Sequence, residues 1–418
     1  MELATDHRLP HHATQARLHS MRQTFTVILL IGSGSLAGGQ APAGERASFV
    51  TVLGRDTVAI ESFVRTATRV EGDIVIRVPA TVRQRYAVDR TGDGRFAKSL
   101  VELTPLGTDD IPARKVSLVV DRDSVRITMD SAGQQRRETR SVSPNAVPLF
   151  VTGFNESFGL YEALGLHEFF LAQPSGMNDA PHDTLEIKSI AIATGRSGTR
   201  RLVHRSSHEV DVDFFKIAWT HLTLDDSARI LSADARETTE KTESRRTAYI
   251  DVGRAAKPFA SRDRSGRGIG SASPDQVVTA SLGSARVRIA YGSPRRRGRD
   301  ILGQVVPYGQ VWRTGANSAT EIAIDHDVMI GNASVPAGAY SLWTIPQQDS
   351  VTLVINRQAG QWGTEYHKEQ DLARVAMRTA TAPTRREDFA ISIEGPDRAR
   401  ELRIAWDTFV WSVPIVVK

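Results

Sequence analysis

Short runs in which apolar and polar residues alternate recur along most of this chain after residue 45. Clear examples are DIVIRV (73–78) and KVSLVVDRDSVRITM (115–129), and the second run holds two such segments around a polar turn. An alternation with a period of two gives a β-strand one apolar face and one polar face. Turn residues separate the runs, as in RYAVDRTGDGRF (85–96). This pattern predicts antiparallel sheet joined by hairpins.

The first block of strands, residues 45–253, is expected to form one large antiparallel β-domain, with a half-barrel as one form that it would take. One helix candidate, FNESFGLYEALG (154–165), interrupts it, with Asn155 as N-cap and Gly165 as stop. This layout faintly resembles the half-barrel domains of bacterial envelope lipid-carrier proteins. The resemblance implies a lipid or lipoprotein carrier as one function, which an enclosed apolar cavity would favour.

A change in composition divides the first block from a second one. RAAKPFASRDRSGRGIGSASPD (254–275) is dominated by Gly, Ser, Arg and Pro, which predicts a flexible linker. Residues 276–418 are β-rich again, and seven or more short strands in about 140 residues predict an antiparallel β-sandwich or jelly roll. A short polar helix is expected within EYHKEQDLARV (365–375).

The N-terminus has the pattern of an export signal. Met21 and Arg22 precede an apolar run over 25–36, and small residues at 37–39 supply a cleavage site. Because a membrane-spanning helix needs about 20 apolar residues, no transmembrane anchor is expected after cleavage. We therefore expect residues 1–40 to comprise an upstream extension and a signal peptide, with Met1 or Met21 as the start, and the mature protein to be periplasmic or secreted.

Composition excludes several kinds of chemistry. The chain has no cysteine, so disulfides, thiol nucleophiles and cysteine-based zinc sites are ruled out. Its net charge of +5 comes almost entirely from arginine, since only 8 of the 53 basic residues are lysine. No nucleic-acid motif accompanies that charge, and no nucleic-acid partner is expected.

Two histidines and one acidic turn are candidates for metal ligands. His204 and His208 lie four residues apart in a segment with strand character, which would separate their side chains by roughly 13 Å. One ion cannot bridge that distance. The DRTGDGRF turn (89–96) lacks the glutamate of a calcium loop, because Leu100 occupies the twelfth position. The sequence therefore predicts a plain hairpin there, and no metal or cofactor site.

Long and specific motifs distinguish the second block. They are GRDILGQVVPYGQVWRTGANSAT (298–320), VPAGAYSLWTIP (335–346) and QWG (361–363). Through these motifs residues 282–415 resemble the bacterial family known as domain of unknown function 2911. The resemblance implies a shared fold for the C-terminal third of the chain. It implies no activity, because that family has no established one.

The WRTGANSAT segment (312–320) is the strongest candidate for a ligand site. Arg313 offers a planar fork of donors for a carboxylate or phosphate, Trp312 a flat aromatic face, and Asn317 both a donor and an acceptor. The candidate ligand-binding residues are Arg299, Trp312, Arg313, Asn317, Tyr340, Trp343 and Trp362. In this hypothesis the aromatic residues complete a pocket, and Arg299 folds back towards an anion held near Arg313.

A structural interpretation of the same segment stays open beside the ligand hypothesis. Trp312 and Arg313 would then pack together and hold the loop against the sheet, while Asn317 caps a turn. The neighbouring SPRRRGRD stretch (293–300) is expected to be a solvated turn.

Taken together, these features favour a soluble, exported binding or interaction protein whose partner is a small molecule, a glycan or an envelope component. No nucleophile and base occur at a recognisable spacing, and enzymatic activity is left open. The alternative is a glycan-directed hydrolase with carboxylates from distant strands. The acidic residues available for it are Asp300, Glu321, Asp325 and Asp371.

Overall fold

The computed structural model describes residues 44–106, 113–150, 158–160, 162, 184–214, 218–396 and 399–418. Within these residues the chain is mostly antiparallel strand, arranged in an N-terminal and a C-terminal sheet, which confirms the predicted mostly-β fold. The predicted signal peptide lies outside the described residues, as does most of the helix predicted over 154–165. Of that helix, Phe158–Leu160 is described and forms one helical turn, α1.

The N-terminal sheet has fifteen strands in the part of the chain that the structure describes, and the first of these, β1, lies at its centre. From β1, strands β2 to β8 follow one another to one edge, and β15 back to β9 follow to the other. All neighbours are antiparallel except β9 and β10, and the predicted hairpin at 89–96 joins β4 to β5. The strands are β1 Glu45–Leu53, β2 Asp56–Arg65, β3 Arg69–Ile76, β4 Val82–Arg90, β5 Phe96–Pro105, β6 Arg114–Asp121, β7 Ser124–Ser131, β8 Gln134–Ser141, β9 Val147–Leu149, β10 Thr184–Ala191, β11 Ser197–Ser206, β12 Glu209–Phe214, β13 Ala218–Leu224, β14 Ile230–Asp234 and β15 Glu243–Thr247.

One face of this sheet encloses an apolar core to which both halves of the sheet contribute. Phe63 and Ile127 from one half and Val212 from the other belong to the same cluster of buried side chains. A Cβ atom on Gly195, in the turn after β10, would lie 2.3 Å from Ile127 Cδ1 on β7. Because strands from opposite halves touch in this way, the sheet curves around its core while remaining open.

The segment predicted as a flexible linker, 254–275, is helical in its first half. Helix α2, Val252–Arg264, begins at Asp251, whose side chain accepts a hydrogen bond from Arg254 N at 2.9 Å. Its small apolar stripe, with Val252 and Ala256, packs on the outer face of β2 and β3. The sequence did not predict this helix because glycine and proline disfavour helix, and here burial against the sheet outweighs that preference. No helix in the described residues combines the length and apolar character needed to cross a membrane.

The C-terminal sheet has nine strands in the order β16-β17-β18-β21-β22-β23-β24-β19-β20. Strand β23 pairs first with β22 and then with β24, and both β16 and β20 contact it from opposite ends of the sheet. The sheet therefore folds over one apolar core, and the predicted antiparallel character is confirmed. The strands are β16 Asp275–Leu282, β17 Ala285–Gly292, β18 Ala316–Ile324, β19 Val328–Ile330, β20 Ala333–Val335, β21 Gly338–Pro346, β22 Val351–Asn356, β23 Asp371–Glu394 and β24 Glu401–Val417. The polar helix expected within 365–375 is a single 3-10 turn, Lys368–Gln370.

The two sheets are joined at Arg297, where the sequence predicted a solvated turn. Arg297 is 3% exposed, and its guanidinium donates to Asp56 at the start of β2. Its carbonyl oxygen accepts from Arg55 N at 2.9 Å, and its own N–H donates to Glu387 Oε1 at 2.8 Å. The prediction was wrong at Arg297, because acidic and carbonyl groups from both parts of the chain surround it, whereas Gly298 and Asp300 are exposed.

Candidate functional site

A cleft of about 1240 Å³ separates the outer face of the N-terminal sheet from loops of the C-terminal part. Its size suits a ligand larger than a single small ion, since ligand pockets usually measure about 300–1,000 Å³. The N-terminal side chains that line it include Trp219, His221, Glu237 and Lys241. Those from the C-terminal part include Arg299, Asp300, Arg313, Asn317 and Trp362.

Backbone pairing fixes the loop that carries Arg313. Trp312 N donates to Thr344 O at 2.8 Å, and Thr344 N donates back to Trp312 O at 2.9 Å. Thr314 is fully buried, and its φ of 54° is uncommon for a β-branched residue. Its carbonyl oxygen accepts a hydrogen bond from Thr320 Oγ1 at 2.7 Å. Strain of this kind persists only where the surroundings impose it, and it is common at functional sites. Arg313 is therefore held between two buried neighbours and directed at the cleft.

The QWG motif supports this loop from the side. Gly363 N donates to Asn317 O at 3.0 Å, which sets the motif alongside the start of β18. A Cβ atom at Gly363 would lie 2.0 Å from Arg313 Cδ, so only glycine leaves room for the Arg313 stem. The adjacent Trp362 projects into the cleft with 46% of its surface exposed.

The guanidinium of Arg313 has no carboxylate partner and no hydrogen bond within the described residues, and its Nε atom is buried. Burial lowers the pKa of Arg313. A buried cation without a counter-charge is costly, because it gives up hydration and receives nothing in exchange. Arg313 is thus a vacant donor group in the wall of the cleft.

Lys241 brings a second cation from the opposite side of the cleft. It lies in the turn between β14 and β15 at a φ of 59°, a left-handed conformation that lysine rarely adopts. Burial, followed by the charges of Arg313 and Arg299, lowers its pKa to about 8, against the opposing charge of Glu237. The effect of these arginines on Lys241, together with the shared lining of the cleft, indicates that groups from both parts of the chain converge there.

Arg299 is the third cation. Its guanidinium donates to Arg295 O at 2.6 Å and to Arg296 O at 3.1 Å, so carbonyl groups hold it in place without neutralising it. Burial and then the charge of Arg297 lower its pKa to about 10, which leaves it protonated near neutral pH. We refer to Lys241, Arg299 and Arg313 as the cation triad.

A histidine and a buried acid form part of the N-terminal wall. Nδ1 of His221 lies 2.6 Å from Oδ1 of Asp211, and Nε2 lies 3.4 Å from Glu237. Burial alone would lower the pKa of His221, but its contacts with Asp211 and Glu237 outweigh burial and raise that pKa. His221 therefore gains positive charge more readily than an isolated histidine.

The structure separates the two interpretations of WRTGANSAT, because neighbouring residues differ in their surroundings. Trp312 belongs to the apolar core, where its ring stacks on Trp406 with centroids 6.2 Å apart. It does not form a plug with Arg313. Asn317 is exposed at the cleft, and its amide reaches Ser273 O at 3.4 Å.

The remaining aromatic candidates are divided between cleft and core. Trp343 borders the cleft but is only 1% exposed, and its Nε1 donates to Ser341 at 2.8 Å. Tyr340 is not among the cleft residues. It packs in the core cluster and donates its hydroxyl to Pro336 O at 3.0 Å. The structure thus gathers six of the seven candidates around the cleft and not Tyr340.

Of the four acids considered for a hydrolase, Asp300 is the one that lines the cleft among the described residues, whereas Glu321 lies 3.9 Å from Arg288. Asp325 accepts from Arg286 N at 2.6 Å, and Asp371 accepts from Tyr366 at 2.8 Å. The hydrolase alternative stays a prediction.

The histidines considered as metal ligands also lie in different surroundings. His204 is buried on β11, whereas His208 is exposed in the following turn, 2.9 Å from Asp226. No cluster of three or more potential ligands occurs in the described ranges of the chain.

Sequence reasoning missed the N-terminal half of the cleft. Lys241, Trp219 and His221 were not singled out, because the motifs that attracted attention all lie in the C-terminal part. Nothing local marks Lys241 beyond its occurrence in an arginine-rich chain with few lysines. Only the packing of the two parts brings it to Arg313.

The fold and the site define a two-part antiparallel β-protein with a cationic cleft between the parts. Residues 273–415 match the family model described as "Protein of unknown function (DUF2911)", which confirms the resemblance of the C-terminal third. No curated protein matches the chain. Among solved structures, it is similar to a DUF1089 family protein from Pseudomonas aeruginosa, at 11% identity and a TM-score of 0.31. That likeness covers 42% of this chain and 89% of the other, and it is too distant to inform fold or function.

Proposed function

We propose that the cleft binds an anionic ligand and that this protein is a binding protein of the periplasm or the cell exterior. The observation that carries the proposal is the vacant guanidinium of Arg313. Lys241 and Arg299 increase the positive potential at the same place. An anion bound there would receive charge-assisted hydrogen bonds from a fork suited to carboxylate or phosphate.

Export is the second element of the proposal, and the pattern of residues 21–40 supports it. Expression in a bacterial host, followed by N-terminal sequencing of the periplasmic fraction, tests it. We expect the mature chain to begin near residues 39–41. Retention of Met1 or Met21 would contradict export.

Anion binding is tested with Arg313→Ala, using acetate and inorganic phosphate as probes in thermal melts and calorimetric titrations. A ligand present at about 100 times its Kd stabilises the folded state by about 2.7 kcal/mol, so an anion should raise the Tm of the wild type. The variant should lose this response. Its own stability should change by no more than about 0.5 kcal/mol, because no partner is left unsatisfied.

Arg288→Ala is the matched control, since Arg288 is 51% exposed and lies outside the cleft. It should keep the anion response. If Arg313→Ala instead lowers stability by about 3–5 kcal/mol and the wild type responds to no anion, then Arg313 is structural and the proposed function is wrong.

The glycan-directed hydrolase and the lipid carrier are the two alternative functions. A glycan-directed hydrolase would need a second carboxylate beside Asp300, and it would have to come from the N-terminal wall, where Glu237 lies. A lipid carrier stays a prediction. The described side chains on the inner face of the N-terminal sheet pack against one another as an apolar core.

A further inference from the structure

The charges in the cleft restrict the kind of anion that it can accept. Besides the cation triad and two further arginines, five carboxylates line it among the described residues. They are Asp234, Glu237, Glu240, Glu243 and Asp300. A ligand with several negative charges, such as a nucleoside triphosphate, would meet these acids as well as the triad and be repelled by them. A ligand with one negative charge would place it at the triad and keep its uncharged parts beside the acids.

The same acids suit a ligand that carries hydroxyl groups. An ionised carboxylate only accepts hydrogen bonds, so it pairs with O–H donors and not with carbonyl or ether oxygens. The carboxylate of Asp300 accepts no hydrogen bond within the described part of the chain and lies in the same wall as Arg299. The amide of Asn317 adds a donor and an acceptor at the cleft.

Two indole rings complete the surface. Trp362 is among the most exposed large apolar side chains in the described residues, at 46%, although its neighbour Gly363 is fixed by the backbone of Asn317. Trp219 stands in the N-terminal wall with the Arg201 guanidinium 5.0 Å from its ring centroid, so one of its faces is occupied. An exposed aromatic face in a polar cleft is a platform for a flat ligand surface with weakly positive C–H groups, as one face of a sugar ring provides.

We propose that the ligand is a sugar acid with one carboxylate, either free or as the only acidic residue of a short glycan, bound with its carboxylate at Arg313 and a ring on Trp362. The proposal rests on the anion site of the proposed function. The cleft volume of about 1240 Å³ exceeds what one ring needs and favours two or three linked sugars.

The test is calorimetric titration of the full chain with five probes: glucuronate, an acidic trisaccharide with one glucuronate residue and two neutral sugars, a neutral trisaccharide of matched length, acetate and ATP. We expect the acidic trisaccharide to bind at least about tenfold more tightly than acetate or ATP, and the neutral trisaccharide not to bind measurably. A comparison of the monomer with the trisaccharide shows whether a free sugar acid or a glycan is preferred.

Variants separate the stacking contact from the anion contact. Trp362→Ala should weaken the acidic trisaccharide about five- to tenfold and leave acetate unchanged, because acetate does not reach the ring. Arg313→Ala should abolish binding of both probes. Tyr249→Ala is the aromatic control, since Tyr249 is 44% exposed and lies outside the cleft, and it should affect neither.

The outcomes distinguish this proposal from the function on which it rests. If acetate or ATP binds through Arg313 at least as tightly as the acidic trisaccharide, the anion site is real and the sugar-acid proposal is wrong. Equal binding of the acidic trisaccharide to wild type and Trp362→Ala would also overturn it. If no anion binds at all, both proposals fail.

Discussion

Two groups of charges, one on the core side of the N-terminal sheet and one in the cleft, are organised in opposite ways. On the core side of the N-terminal sheet, Glu45 and Glu162 meet Arg65 and Arg246. Glu162 also accepts from Ile230 N at 2.8 Å, so this cluster contains its own counter-charges. In the cleft, the charges of Arg313 and Arg299 act on Lys241 and help to lower its pKa, and no carboxylate forms an ion pair with any of the three among the described residues.

The difference indicates that the charges of the N-terminal cluster stabilise the fold, whereas those of the cleft fit the proposed ligand site. The N-terminal cluster holds two carboxylates against two guanidinium groups and so needs no ligand to balance its charge, although burial still raises the pKa of Glu162. The Arg313 guanidinium, by contrast, has neither a carboxylate partner nor a hydrogen bond among the described residues. Four sets of variants and conditions test whether the two groups of charges differ in this way.

The largest effect is expected at the balanced cluster. Glu162→Ala should lower the free energy of unfolding by about 3–5 kcal/mol, because Arg65 and Arg246 would share Glu45 as their one remaining carboxylate and Ile230 N would lose its acceptor. Chemical denaturation measures the change. Glu186→Ala, an exposed acid on β10, is the control and should change stability by less than about 0.5 kcal/mol. A small loss for Glu162→Ala would mean that the two clusters do not differ as described.

The second effect comes from steric displacement of Arg313 without a change in charge. Gly363→Ala puts a methyl group where the Arg313 stem lies, so we expect a loss of about 1–3 kcal/mol in stability and a weaker response to anions. Denaturation and anion titration measure the two quantities. Gly92→Ala is the control, since a Cβ atom there would meet nothing within 4 Å. An unchanged anion response in Gly363→Ala would show that the position of Arg313 is not critical.

The third effect is a dependence of anion affinity on pH. Because the pKa of Lys241 is lowered to about 8, Lys241 loses its charge as the pH rises through 8, and affinity should fall about tenfold between pH 7.5 and 9.5. In the ligand-free protein, the contribution of Lys241 to stability changes with pH in the opposite direction to anion affinity. The unfolded lysine, with its ordinary pKa of 10.5, holds its proton more tightly, so the contribution of Lys241 to stability rises between pH 8 and 10.5.

Titrations at several pH values measure this dependence. Lys241→Arg is the matched variant, because arginine stays protonated over the whole range and should remove the fall in affinity. A wild-type affinity that does not change across this range would exclude Lys241 from the anion site.

The smallest effect is a gain in stability. Lys241→Asn removes a costly charge and replaces lysine with a residue that tolerates positive φ, so stability should rise by about 0.5–1 kcal/mol while anion affinity falls. Arg122→Asn, at a φ of 55° in the exposed turn after β6, relieves the same backbone strain without touching the cleft. An equal gain in both variants would assign the whole effect to the backbone and none to charge.

The sequence predicted the strands more reliably than the way in which they combine. The apolar character of segments such as DIVIRV is a local signal, and its first four residues lie in β3, where Ile74, Val75 and Ile76 are buried on both faces of the sheet. The central position of β1 depends on its pairing with β15 far along the chain, which no local pattern records. Helix α2 was missed for a related reason, since its small apolar stripe is stabilised by β2 and β3 and not by its own composition.

The sequence predicted the part of the candidate site that lies in the C-terminal motifs. Arg313 and Trp362 were identified through their motifs, whereas neither interpretation offered for Trp312 anticipated its place in the apolar core. Tyr340 was included on aromatic character alone, and the pleat of β21 turns it into the core. Lys241 comes from the other part of the chain, and its place in the cleft follows from the junction at Arg297.

The placement of β1 at the middle of the fifteen-stranded sheet has a consequence for how the chain emerges during synthesis. Strands β2 to β8 can pair in the order in which they appear, each with its predecessor. The other side of β1 pairs with β15, where Thr51 meets Ser244 across a sequence separation of 193 residues. Until that part of the chain is made, β1 is an edge strand with unpaired N–H and C=O groups, which attract other strands and promote aggregation. β1 is therefore synthesised before the other described strands of this sheet, but its second edge is paired only after β15 has been made.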